Sequence, residues 1–368
     1  MSENFSGKDY GEYFKNLEQN LNREYSKKTN TVSTKKSKKK KGFYRVFRLK
    51  KSFVVCILAV LVMICGVIIT SVGDKGKENT ASRQDVGNPL KDASEVKKLN
   101  IIYDFPENTP DLPVENDAKY GIIIDKSTNK VVAARNATIK AYPASTTKIM
   151  TLLIAVENLK DMNKTFTMSY KITDPLYIEE ASVAGFLNGE TVKMNDLLYG
   201  AILPSGADAS MALALTVAGS EDAFVDLMNK KVKELGLKNT HFDNVTGLHS
   251  VNNYTTVYDM AVILDAAMRN DICRKILSTY QFTTSVTPEH PEGILLSSTL
   301  FNYMYGTEPE TATILGGKTG FVNESGYCIA SFGKANESNK EYIVVTFGNS
   351  SRWPAFHGQI SLYKDFAK

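Results

Sequence analysis

Ser145-Thr146-Thr147-Lys148 follows Pro143 and opens a stretch in which Ile149, Leu152, Leu153 and Val156 recur at helical spacing. Residues three apart share a helical face, so the hydroxyl of Ser145 and the amine of Lys148 can meet. A serine hydroxyl becomes a useful nucleophile when a neighbouring base takes its proton. A lysine serves as that base when burial or a nearby cation lowers its pKa. The positive end of the helix then favours the developing alkoxide. Two further segments carry residues suited to the same reaction. Lys318-Thr319-Gly320, within GGKTGFVNESGYCIASF, lies at the end of an expected strand. There a glycine admits a ligand close to the strand edge and the lysine and threonine can hold a carboxylate. Ser205-Gly206-Ala207-Asp208 follows Pro204 between two expected helices, where a serine can relay a proton. Each segment has a plain structural reading as well: a capped, solvated helix end, a strand running into a turn, and a helix N-cap.

The elements that would position these groups are readable from the apolar pattern. Strands are expected over residues 120–125 (YGIIID) and 130–134 (KVVAA), with Ser127-Thr128-Asn129 as a hairpin turn. Pro143 suits the first turn of the helix that carries Ser145, because its missing N–H is not needed there. Further helices are expected near residues 191–203, 207–218 and 221–235. Gly236 ends the last of these, and Phe224, Leu227, Met228 and Leu235 share one of its faces. Strands return over residues 312–319, 326–333 and 341–348, and a last helix covers residues 354–367. Strands, then helices, then strands, then a helix describe an α+β domain whose sheet is built from both ends of the segment.

Taken together and in this order, the three segments form the set associated with penicillin-binding proteins. Residues 114–368 resemble the low-molecular-weight penicillin-binding proteins, serine D-Ala-D-Ala carboxypeptidases. The blocks YPASTTKIMT, AILPSGADAS, THFDNVTGLHSVNNYTTVYDMAVI and GGKTGFVNESGYCIAS carry the resemblance. It implies a β-lactamase/penicillin-binding-protein-like α+β fold, with an antiparallel five-stranded sheet flanked by helices and an all-helical subdomain. It implies an acyl-enzyme on Ser145, with Lys148 as general base and Ser205 passing a proton to the leaving D-Ala. Lys318 would hold the substrate carboxylate or tune Lys148, and Thr319 would bond the same carboxylate beside Gly320. The N–H groups of Ser145 and Phe321 would form the oxyanion hole, and Arg352 is a further candidate carboxylate binder. The implied partners are a peptidoglycan stem peptide as substrate and β-lactams as covalent inhibitors, with no cofactor and no metal. One position departs from the family. An asparagine usually stands two residues after the loop serine, and here that residue is Ala207. A slower or differently selective enzyme is the expected consequence. Many family members add a β-rich domain and an anchoring helix after the catalytic domain. This chain stops soon after Pro354, so its anchor is expected at the other end.

That anchor is residues 53–72, an uncharged apolar run (FVVCILAVLVMICGVIITSV). About 20 such residues in a helix rise roughly 30 Å, the thickness of the hydrocarbon core. Lys35, Lys36, Lys38 to Lys41, Arg45, Arg48, Lys50 and Lys51 precede it and mixed charges follow, which places residues 1–52 in the cytoplasm and the catalytic domain outside. The long preceding segment and the lack of an A-x-A site favour an uncleaved membrane helix over a signal peptide. Residues 1–52 read as a polar, disordered tail whose basic end lies on anionic lipid, and residues 73–113 as a linker. The net charge of +4 comes largely from this basic run, so the sequence does not describe a folded nucleic-acid binder.

Three other readings compete. A β-lactamase of class A needs a water-activating glutamate on a later loop, and KNTHFDNVTGLH offers no convincing counterpart. A zinc carboxypeptidase needs clustered ligands, whereas His241, His249, His290 and His357 lack metal spacing and are expected to lack carboxylate partners. Ala207 also permits a wall-binding scaffold that has lost catalysis. Cys273 and Cys328 are read as plain buried residues.

Overall fold

The computed structural model describes residues 101–368 apart from 305 and 308. The expected tail, the expected membrane helix and residues 73–100 of the expected linker lie outside the described residues. No helix among the described residues is long and apolar enough to cross a membrane.

The packed domain begins before residue 114. Ile101, Tyr103 and Leu112 are buried, and Asp104 bridges to Lys130. Arg135 ties this entry segment down with bonds from its guanidinium to Asp111 Oδ1 and to the carbonyls of Leu112, Pro113, Asn116 and Ala118. The prolines and polar residues around these three apolar anchors give the segment a linker's composition, although its apolar side chains sit in the core.

Strands β1 (Tyr120–Asp125) and β2 (Lys130–Arg135) form a hairpin. Asn129 in its turn takes a positive φ of 55°, a conformation asparagine tolerates. The chain then makes a short 3-10 turn, Ala144–Thr147, and helix α1, Lys148–Asn158. A small hairpin of β3 (Thr165–Thr167) and β4 (Thr191–Lys193) brackets helix α2, Tyr170–Ile178. Helices α3 (Met194–Ile202), α4 (Ala207–Ala218) and α5 (Glu221–Glu234) follow. After a long loop come α6 (Val257–Met268) and α7 (Asp271–Leu277). A second small hairpin, β5 (Gln281–Thr283) with β6 (Leu295–Ser297), leads into the short helix α8, Thr299–Met304. Three long strands, β7 (Ala312–Val322), β8 (Gly326–Ala335) and β9 (Glu341–Asn349), and helix α9 (Arg352–Phe366) complete the domain.

The main sheet has five strands in the order β2-β1-β9-β8-β7, every neighbouring pair antiparallel. Both faces are covered, which explains why its strands read as nearly continuous apolar runs. Ile122 and Ile124 of β1 join Phe332, Ile343 and Val345 in the larger core, with α1 and α6. Ile123 faces the other way, with Ile329 and Val344, onto Leu300, Phe356, Leu362 and Tyr363 of α8 and α9. Helix α1 is buried from Lys148 to Val156, packed against the helices α3, α4 and α6. A helix enclosed on all sides can be apolar all round, and this one carries a lysine at its buried start.

Candidate active site

The 3-10 turn ahead of α1 is held by Pro143, whose carbonyl accepts from the Thr146 N–H (3.2 Å) and from Thr146 Oγ1 (2.6 Å). Ala144 is left at φ +46°, a left-handed conformation that costs a non-glycine residue free energy. Two glycines allow other segments to reach this turn. A Cβ on Gly247 would lie 1.9 Å from the Ala144 carbonyl oxygen, and Gly247 itself sits at φ +81°. A Cβ on Gly320 of β7 would lie 2.8 Å from the Ser145 nitrogen. The expected role of Gly320 is to admit a ligand at the strand edge; the space beside its Cα is instead occupied by the backbone of Ser145 and Thr146. β7 is also an edge strand of the sheet, so one row of its backbone groups has no strand neighbour.

Lys148 Nζ lies 3.0 Å from Ser145 Oγ and donates to the Thr246 carbonyl at 2.5 Å. Only 2% of Lys148 is exposed. Burial, opposed by the charge of Asp208, lowers its pKa to about 7, so near neutrality much of it is free amine. Lys318 is 1% exposed and donates from Nζ to the Thr319 carbonyl at 2.8 Å. Burial and then the nearby Lys148 charge hold its pKa well below the ordinary lysine value. Two amines that perturb one another behave as a coupled pair. The buried Lys318 side chain turns back onto the carbonyl of the residue that follows it on β7.

The cleft has a volume of about 1190 Å³. Ser145, Lys148, Ser205, Thr319, Gly320 and Phe321 all border it. Thr319 Oγ1 is 2.7 Å from Thr299 Oγ1, a pair of hydroxyls on one wall. The half-exposed Phe321 ring leans on Tyr327 at 4.4 Å. Arg352 borders the cleft with its guanidinium 4.5 Å from the centre of the Tyr303 ring, a cation–π contact that fixes its direction. Ser205 is buried and held at φ +68°. Strain of this kind persists where the surroundings over-determine the backbone. Ala207 lies at the N-terminus of α4, beside Ser205, and its methyl group offers no hydrogen bond to the cleft.

A Peptidase_S11 family model, described as D-alanyl-D-alanine carboxypeptidase, matches residues 107–351. The chain belongs to this family. It is 34% identical over 258 residues to the D-alanyl-D-alanine carboxypeptidase DacF of Bacillus subtilis, covering 68% of this chain and 62% of that protein. It is 32% identical over 242 residues to DacA of Escherichia coli, covering 63% of this chain and 56% of that protein. The chain thus spans less than two thirds of the length of either relative. Among solved structures, the Streptomyces K15 DD-transpeptidase superposes with a TM-score of 0.61 at 27% identity, over 70% of this chain and 98% of that one. The fold expected of the family, helices against an antiparallel sheet, is the fold found.

Several site features were not foreseen. The acceptor for Lys148 is a backbone carbonyl of residue 246, in a loop organised by Asn244 Oδ1, which accepts from the N–H groups of Thr246 and Gly247. The block THFDNVTGLHS was noted for its family likeness, but the sequence does not show which of its groups faces inward. Thr299 and Tyr303 come from α8, a helix without a periodic signal. The Asp208 carboxylate turns back to accept from the N–H groups of Ala184 and Gly185. The expectation that the histidines lack carboxylate partners fails at two of them. His290 Nδ1 lies 3.0 Å from the buried Glu190, and His249 Nδ1 lies 3.8 Å from Glu324. Each of these pairs joins segments far apart in sequence. Cys273 and Cys328 are buried and unbonded to each other.

Proposed function

We propose that this protein is a membrane-anchored serine carboxypeptidase that removes the terminal D-Ala from peptidoglycan stem peptides. The observation that carries this reading is the 3.0 Å approach of Lys148 Nζ to Ser145 Oγ, with burial holding that amine near a pKa of about 7. In its neutral form the amine accepts the hydroxyl proton as Ser145 attacks the carbonyl carbon between the two D-Ala residues. The resulting oxyanion lies between the N–H of Ser145 and that of Phe321, which Gly320 brings to the start of the helix. Ser205 passes the proton to the departing D-Ala nitrogen as the C–N bond breaks. The acyl group remains on Ser145 until water hydrolyses the ester. The hydroxyls of Thr319 and Thr299, with Arg352, would receive the terminal carboxylate. A β-lactam carries its own acyl bond into the same position and would acylate Ser145.

The apolar run 53–72 and the basic residues before it support an anchor with the catalytic domain on the outer side of the membrane. Treating intact cells with a protease tests this arrangement: residues after 72 should be digested, and protection of the whole chain would contradict it. For the chemistry, incubation with a muropeptide pentapeptide should lower its mass by one alanine residue. An unchanged mass, or sustained hydrolysis of a chromogenic cephalosporin in its place, would overturn the assignment.

A further inference from the structure

Asp208 stands on the first turn of α4, three residues past Ser205, and is 1% exposed. Its Oδ1 accepts from the Ala184 N–H at 2.7 Å and from the Ala209 N–H at 2.9 Å, and its Oδ2 accepts from the Gly185 N–H at 3.1 Å. Gly206 makes room for it: a Cβ there would lie 2.7 Å from Oδ1, 2.6 Å from the Gly200 carbonyl and 2.9 Å from the Ala184 Cβ. The carboxylate is therefore wedged behind the Ser205–Gly206 backbone and pins it to the segment after Ser182, which itself borders the cleft. Ser182 adds a second tie, its carbonyl accepting from the Ala207 N–H at 2.8 Å.

We propose that Asp208 is a positioning residue for acyl transfer: from behind the cleft wall it fixes Ser205 in its left-handed conformation and supplies the fixed negative charge against which Lys148 works. The inference rests on the serine mechanism proposed above. Asp208 from α4 favours the ammonium form of Lys148, the Lys148 charge in turn lowers the pKa of Lys318 on β7, and Glu221 and Asp243 line the same cleft. Burial raises the pKa of Asp208 and the N–H groups of Ala184, Ala209, Gly185 and Phe186 oppose that rise; with both oxygens accepting from N–H donors, the bonding favours the carboxylate form.

The sign of the effect follows from charge alone. Removing a negative charge near Lys148 weakens its hold on the proton, so the acidic limb of the acylation profile moves to lower pH. The test is the rate of labelling by fluorescent penicillin between pH 5 and pH 9, on the full chain and two variants. In Asp208→Asn the midpoint should fall by on the order of one pH unit, with a lower plateau as the Ser205 loop loosens. In Asp208→Glu, which keeps the charge and disturbs the hydrogen bonds, the plateau should fall while the midpoint stays near the wild-type value. An Asn variant that folds and keeps the wild-type midpoint overturns the inference. If neither variant folds, the wild type still decides it. The assigned 13Cγ resonance of Asp208 should inflect at the pH where Lys148 13Cε titrates, and a flat Asp208 trace would overturn the coupling. Wild-type protein that takes no label at any pH would instead defeat the serine mechanism, an outcome distinct from a labelled protein with an unmoved midpoint.

Discussion

Around Asp265 the domain buries a carboxylate together with its counter-ions; at the start of α1 it buries amines whose hydrogen bonds go to a hydroxyl and to backbone carbonyls. Asp265 has a side chain 1% exposed, with Lys126 at 2.7 Å and Arg269 at 3.0 Å. Glu341 joins the cluster through Lys126 and through a close contact with Arg274. Burial pushes the Asp265 pKa up, but its bonds and its attraction to Lys126 and Arg269 win, and the net shift is downward. Lys148 and Lys318 are as deeply buried, and for both the desolvation cost prevails. The difference teaches where free energy is spent. Charges that hold α6 to the sheet are neutralised by partners, while the buried amines of Lys148 and Lys318 are left costly, and that cost lowers their pKa values.

The sharpest way to break this comparison is Lys148→Met. Without the base, labelling of Ser145 by penicillin should fall by roughly 1,000-fold or more, while thermal unfolding moves to higher temperature by the equivalent of about 1–3 kcal/mol. The folded-state pKa of about 7 lies below that of an unfolded lysine, so between those values the unfolded chain binds the extra proton. Wild-type stability therefore rises as pH climbs above 7, and the gain from methionine should be largest at pH 6 and shrink toward pH 10. A variant less stable than wild type at pH 6 would show that the amine is not a buried liability. Gly320→Ala places a methyl carbon against the Ser145 nitrogen and should cost about 100-fold in labelling rate, the scale of one lost oxyanion donor. Unchanged labelling would remove β7 from the hole. On the other side of the comparison, Asp265→Asn should lower stability by about 2 kcal/mol in chemical denaturation and leave the pH midpoint of labelling where it was. A moved midpoint would mean that the two regions are coupled. The smallest effect is expected of Ala207→Asn, which restores an amide beside the base and should raise D-Ala release by about 10-fold, the worth of one buried hydrogen bond. An equal rate would show that this position does not limit catalysis.

Much of the scaffold was legible because burial writes itself into composition. YGIIID, GYCIASFG and EYIVVTFG read as strands because both faces of the sheet are covered, and all three segments are strands in the structure. Helices α4 and α5 were recovered nearly to the residue, helped by Pro204 before the first and Gly236 after the second. Helix α2 escaped because it carries Pro175 inside it. Helix α6 escaped for the opposite reason: every described residue from Asp259 to Met268 is buried, so no polar stripe reveals its period. At the site, side chains declared themselves through type and spacing, as at Ser145 and Lys148. Groups that act through the backbone did not. The Thr246 carbonyl and the approach of Gly247 to Ala144 depend on loop geometry across about a hundred residues of chain, and no local pattern encodes them.

The claim on which all of this turns is that Ser145 is the acylated residue. It is tested most directly by peptide-mapping mass spectrometry after brief incubation with benzylpenicillin at pH 8. The expected result is a single penicilloyl adduct on the peptide containing Ser145, absent from Ser145→Ala. An adduct on any other residue, or none on the folded wild-type protein, would contradict it.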